Sequence, residues 1–176
     1  ILAIAFITFV AWFDNTVVSF FGIKTILFTK YNSFEINARW VEKRNINYLG
    51  FAYRLDFETS GISLFCKTND ARTRISDLLG ANQEHREFHC LVHGSPKDDV
   101  FNVDAKIGWV AGHPEIMKAG KRGKFARTKF EVLERFTGMT MLRCTPDTDR
   151  KHQIRAHLKS VGHPLFNDKD YECGIH

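Results

Sequence analysis

The chain has 176 residues, 44% of them hydrophobic and 26% charged, with a formal net charge of +5 and a pI near 9.1. That is one domain's worth of chain with enough apolar content for a real core, and no internal repeat or low-complexity tract interrupts it. The positive balance makes an anionic partner reasonable without specifying one.

In chain order, Ile1 to Phe13 is almost wholly apolar. It is shorter than the roughly 20 residues a membrane helix needs, and Asp14-Asn15 interrupts it, so it reads as strand and no membrane is expected as a partner. No basic segment precedes it, which makes a poor signal peptide. Ile62 to Cys66 reads as a buried strand, after which Asn69 caps a helix running through Leu79 and stopping at Gly80. Strands are predicted at about 86–93, 99–106, 127–136 and 139–145, the last two joined by a Thr137-Gly138 turn. A helix follows at about 151–161. Ile154, Leu158 and Val161 recur along it at helical spacing, Lys151, Arg155 and Lys159 share another face, and Gly162 ends it. Strands in runs with few helices predict an α+β domain with a mostly antiparallel sheet.

Two features bear on partners and compartment. Lys118, Lys121, Arg122, Lys124, Arg127 and Lys129 cluster around Gly120 and Gly123 with no acid among them. They read as a basic loop that tracks phosphates, the alternative being a solvated hairpin. Lys121-Arg122-Gly123-Lys124 lacks the leading glycine and spacing of a nucleotide-binding loop. Cys66, Cys90, Cys144 and Cys173 form no Cys-x-x-Cys pair, and the first three lie in apolar runs as buried free thiols do. A reducing, cytoplasmic setting fits, with organelle targeting open.

The chemistry concentrates in two segments. Tyr53-Arg54-Leu55-Asp56-Phe57-Glu58-Thr59-Ser60-Gly61 sets one acid between a cation and a small-residue turn ahead of an apolar strand. Far downstream, Pro146-Asp147-Thr148-Asp149-Arg150-Lys151-His152-Gln153-Ile154-Arg155-Ala156-His157-Leu158 opens a basic helix, followed by Gly162-His163-Pro164-Leu165-Phe166-Asn167-Asp168 and Tyr171. In content and order these segments resemble the RluA-type pseudouridine synthase family, over roughly Tyr53 to Tyr171. The match departs from the family pattern at Tyr53, where histidine is usual, at Arg86-Glu87-Phe88, where the family has Lys-x-Tyr, and at Asp149, where it keeps glycine.

The resemblance implies a mixed, mainly antiparallel central sheet with flanking helices and a cleft. It also implies an isomerase that converts uridine to pseudouridine in structured RNA, ribosomal or transfer, acting as a monomer. Moving uracil from an N- to a C-glycosidic bond needs no redox change, so no cofactor and no metal is expected. Asp56 is the implied catalytic carboxylate, and the residues leave open whether it attacks the anomeric carbon or takes a neighbouring proton. It must be ionised, which an adjacent cation favours. Arg155 is therefore assigned as its salt-bridge partner. The expected substrate-binding set is Arg54, Phe88, Arg150, His152 and Gln153. Phe88 either stacks on the displaced uracil or packs in the core with Cys90 and Val92, its neighbours on one strand face. His152 and His157 have no third ligand at a suitable spacing and belong to packing or RNA contact. A single domain over 1–176 is expected, with 1–50 diverged, no S4-like RNA-binding domain ahead of it, and termini incomplete or diverged. The alternative is a catalytically inactive RNA-binding relative or truncated paralogue.

Overall fold

Alternating apolar and polar residues in the second half of the chain are realised as one broad sheet with a helix laid across it. The structure, a computed structural model, describes residues 3–7, 19–20, 23–26, 48, 50–51, 53, 55–56, 59–61, 63–81 and 86–172. Within them lie β1 (Ala3–Ile7), β2 (Ser19–Phe20), β3 (Ile23–Ile26), β4 (Gly50–Phe51), β5 (Ser60–Gly61), β6 (Ser63–Cys66), α1 (Asn69–Ala81), β7 (Arg86–His93), β8 (Val100–Val110), β9 (His113–Gly120), β10 (Lys124–Phe136), β11 (Met139–Pro146) and α2 (Gln153–Ser160). The main sheet runs β5-β1-β7-β11-β10-β8-β9, with every neighbouring pair antiparallel except β1 and β5. A smaller sheet runs β2-β3-β6-β4. This is the expected α+β architecture, mixed and mainly antiparallel.

On β11 the buried residues are Thr140, Leu142, Cys144 and Pro146, and on β10 they include Ala126, Thr128 and Phe130, the period of two that a one-sided sheet requires. Helix α2 covers this face. Its Leu158 joins Cys90, Val92, Val103, Phe130, Leu142, Cys144 and Leu165 in one core cluster, and Ala156 joins Ile107, Met117, Ala119, Ala126 and Tyr171 in another. The alanines let the helix approach the sheet closely, while fully burying a Leu or Phe side chain contributes about 1.5–3 kcal/mol. Phe101 stacks on Phe130 with ring centroids 5.0 Å apart.

Buried polar groups within this core are paired. Thr128 Oγ1 accepts from Gln153 Nε2 at 2.9 Å and meets His157 Nδ1 at 2.9 Å. Burial holds the His157 pKa below its ordinary value despite opposition from the Ala105 carbonyl and Asp104, so the ring is neutral near pH 7. Cys66, Cys90 and Cys144 are buried free thiols, as expected; Cys173 lies outside the described residues.

Three details differ from the sequence expectation. Thr68, not Asn69, caps α1: its Oγ1 accepts from the Ala71 amide at 3.1 Å, while the Asn69 side chain accepts from Tyr48 Oη at 3.2 Å. Helix α1 also continues through Gly80 to Ala81. The basic "loop" is largely strand. Lys118 sits in β9, Lys124, Arg127 and Lys129 in β10, and only Lys121, Arg122 and Gly123 turn between them. Gly123 has φ +106°, and a Cβ there would lie 2.0 Å from the Ile107 carbonyl oxygen, so the turn is pressed onto β8. As expected, Thr137-Gly138 forms the β10–β11 turn, with Gly138 at φ +75°. Among the described residues no helix is long and apolar enough to cross a membrane.

Candidate active site

Sheet topology brings the separated segments together. Asp56 belongs to a tight turn in which the Thr59 amide donates to the Asp56 carbonyl at 2.9 Å. That turn leads into β5, which pairs with β1, and β1 in turn pairs with β7 so that Ala5 lies opposite Phe88. Strand β7 turns Arg86, Phe88 and Cys90 toward the face that α2 covers. Between the Asp56 turn, β7 and the segment entering α2 lies a cavity of about 340 Å³, lined by Asp56, Phe88, Arg150, His152, Gln153 and Arg155 among others. A size of about 300–1,000 Å³ is usual for small-ligand sites. Arg54 lies outside the described residues.

The expected Asp56–Arg155 ion pair is not formed. Arg155 Nε donates to Asp168 Oδ2 at 2.7 Å, and its Nη2 donates to Asp168 Oδ1 at 2.6 Å and Asp170 Oδ2 at 2.8 Å. Asp168 is fully buried, so its carboxylate demands a cation, and the guanidinium fork satisfies both of its oxygens. Burial works to lower the Arg155 pKa, but the hydrogen bonds to Asp168 and Asp170 prevail and hold it above its ordinary value. Among the described residues Asp56 has no ion pair. Arg155 nevertheless shares the cavity wall with Asp56.

Beside this fork stands Tyr171, its ring 4.5 Å from the Arg155 guanidinium carbon. Burial is the main reason its pKa is pushed up to about 12. The phenol oxygen accepts from the Met117 amide at 2.9 Å and shares a hydrogen bond of 3.0 Å with His152 Nδ1. Burial pushes the His152 pKa down; Asp56 and Asp170 oppose this, Arg155 and Lys151 reinforce it, and the ring stays neutral near pH 7. His152 also has left-handed backbone at φ 52°, ψ 29° just ahead of α2. Non-glycine residues rarely adopt that conformation, and such strain clusters at functional sites.

Gln153 is an anchor as much as a cavity residue. Its Nε2 donates to the Arg127 carbonyl and Thr128 Oγ1, both at 2.9 Å, and its Oε1 accepts from Thr148 Oγ1 at 2.7 Å and the Arg150 amide at 3.1 Å. Arg150 Nε donates to the Phe125 carbonyl at 3.1 Å. The loop entering α2 is thereby tied to β10 beyond the end of β11. Phe88 packs against the main core cluster, as the core reading has it, and also lines the cavity.

The departures noted in the sequence meet along one wall. Arg86, with its side chain only 8% exposed, pairs with Asp149 at 3.0 Å, and both line the cavity with Phe88. Tyr53 lies near enough for the Arg86 charge to oppose the upward push of burial on its phenol. Glu115, Lys169 and Asp170 line the cavity without any motif to announce them; they arrive from β9 and the turn after α2. Among the described residues no three His, Cys, Asp or Glu side chains converge to hold a metal ion.

The sequence profile of the RNA pseudouridylate synthase family matches residues 24–160. The chain belongs to that family, in its RluA-type branch. It is 42% identical over 123 residues to the ribosomal large subunit pseudouridine synthase D of Nitrosomonas europaea, covering 69% of this chain and 35% of that protein. To the ribosomal large subunit pseudouridine synthase C of Escherichia coli K12 it is 32% identical over 126 residues, covering 70% of this chain and 40% of that one. The chain thus spans 35% to 40% of the length of these relatives. In fold it is similar to human RNA pseudouridylate synthase domain containing 1, with a TM-score of 0.72 at 19% identity over 88% of this chain and 68% of that one.

Proposed function

We propose that the protein isomerises uridine to pseudouridine in structured RNA, with Asp56 as the reacting carboxylate. The observation that carries this reading is the placement of Asp56 on the wall of a cavity it shares with the Phe88 ring and the cations Arg150, Lys151 and Arg155. A uridine swung out of its strand, at a cost of a few kcal/mol, would set its base against Phe88 and its phosphates against Arg150 and Lys151. The bond from C1′ to N1 breaks with its electron pair on uracil, the uracil turns, C5 bonds to C1′, the C5 proton leaves to solvent, and N1 takes up a proton in its place. Asp56 either adds to C1′ or takes a neighbouring proton, and both routes use the ionised carboxylate. Ribosomal RNA of the large subunit is the favoured substrate, since the relatives named above, from Nitrosomonas europaea and Escherichia coli, carry that name.

Tritium release from RNA labelled at uracil C5 tests this, with a total RNA pool as substrate and Asp56→Asn alongside. Release by the parent chain and none by Asp56→Asn, with RNA affinity nearly retained, is the expected result. Full release by Asp56→Asn would exclude the mechanism. A second reading, an RNA-binding relative without turnover, draws support from Arg155 being held by Asp168 and Asp170 and from the phenol missing at Phe88. RNA binding without release would select it.

A further inference from the structure

Trp109 is the most exposed large hydrophobic side chain among the described residues, at 65%. An indole so open to water, in a strand whose Val103 and Ile107 are buried, is not there for the core. Alternation along β8 sets Trp109 on the same face as those two residues, the face that bears α2 and the cavity. Its register partner is Met117 on β9. The Met117 amide donates to Tyr171 Oη, which bonds to His152, and Glu115, two residues from Met117, lines the cavity. Trp109 therefore stands on the β9 side of the catalytic cleft.

Lys151 links the two. Its Nζ lies 4.9 Å from the indole centroid, and the same residue lines the cavity beside Asp56 and His152. Lys151 is the cation that stands over the indole. An exposed aromatic face beside a cation is what an unpaired base and its phosphate require: the ring stacks on the base whatever its identity, and the ammonium neutralises the backbone.

We infer that Trp109 and Lys151 form a stacking shelf for an unpaired nucleobase of the substrate RNA next to the target uridine. Lys151 covers the indole in the free protein through a weak cation–π contact and turns to a phosphate when a base takes its place. This rests on the RNA reading above and adds the residue that holds the flanking nucleotide.

Tryptophan emission on titration with heptauridylate at low salt, using the full chain, tests the shelf; the chain has three tryptophans, at 12, 40 and 109. Stacking quenches the emission. Quenching should be lost in both Trp109→Leu and Trp109→Phe. Affinity should fall on the order of 10-fold in the leucine variant, as loss of one base–aromatic stack implies, and return in the phenylalanine variant. A purely structural role would not give that recovery together with lost quenching. Parent-like affinity in Trp109→Leu, undiminished quenching, or no binding of heptauridylate by the parent would each overturn the shelf. Trp109-independent RNA binding with tritium release intact would remove the shelf and leave the isomerase. Trp109-dependent quenching without release would do the reverse.

Discussion

Replacing Asp168 by asparagine keeps the shape of the side chain and removes its charge. Asp168 is 0% exposed and the Arg155 side chain 13%, with two hydrogen bonds of 2.6 and 2.7 Å between them. Removing one partner of a buried pair typically costs about 3–5 kcal/mol, because the other charge is left in a poor dielectric. Here Asp170, 54% exposed, stays 2.8 Å from the guanidinium and neutralises part of it, so the low end, about 3 kcal/mol, is expected. For a chain of this size that lowers the melting temperature by about 6–12 °C. Urea denaturation followed by circular dichroism should show a lower midpoint with an unchanged slope. Removing both charges together, in Arg155→Met with Asp168→Leu, should recover much of the loss, since no uncompensated charge then remains. A loss below about 0.5 kcal/mol for Asp168→Asn, the level of an ordinary surface substitution, would refute the reasoning and mean that Arg155 readily finds another partner.

Phe130→Ala removes a fully buried ring that stacks on Phe101 and should cost about 3–5 kcal/mol in urea denaturation. Gly123→Ala forces a Cβ to within 2.0 Å of the Ile107 carbonyl at φ +106°, and should lower stability by about 1–3 kcal/mol without altering the far end of the sheet. His157 has a folded pKa below its ordinary 6.5. As pH falls through about 6.5 the unfolded chain takes up the proton before the folded one does, so this stability is complete above that pH and lost below it. The melting temperature should decline between pH 7 and pH 5, and His157→Gln should flatten the decline, with His152 contributing the remainder.

What the sequence determined by itself was set by local and periodic physics. Alternation along β7, β10 and β11 has one buried side, so strand assignment and inward residues follow from a period of two. The hairpin at Thr137-Gly138 and the stop at Gly162 follow from glycine's access to positive φ, observed at +75° and +82°. The ordered motifs around Asp56 and His152 were legible because their residue types and sequence carry the family signature. Strand β9 was not legible: the small Ala119 and the single Met117 it buries make a weak period, and the neighbouring glycines and lysines read as loop. Partner choice among charges lay further out of reach. Sequence puts Asp56, Asp149, Asp168 and Asp170 all within reach of a nearby arginine in principle. Only the tertiary structure decides that the fully buried Asp168 takes Arg155 while Asp149 takes Arg86, because the desolvation that makes one carboxylate demand a cation more than another is a property of burial, and burial exists only once the chain has folded.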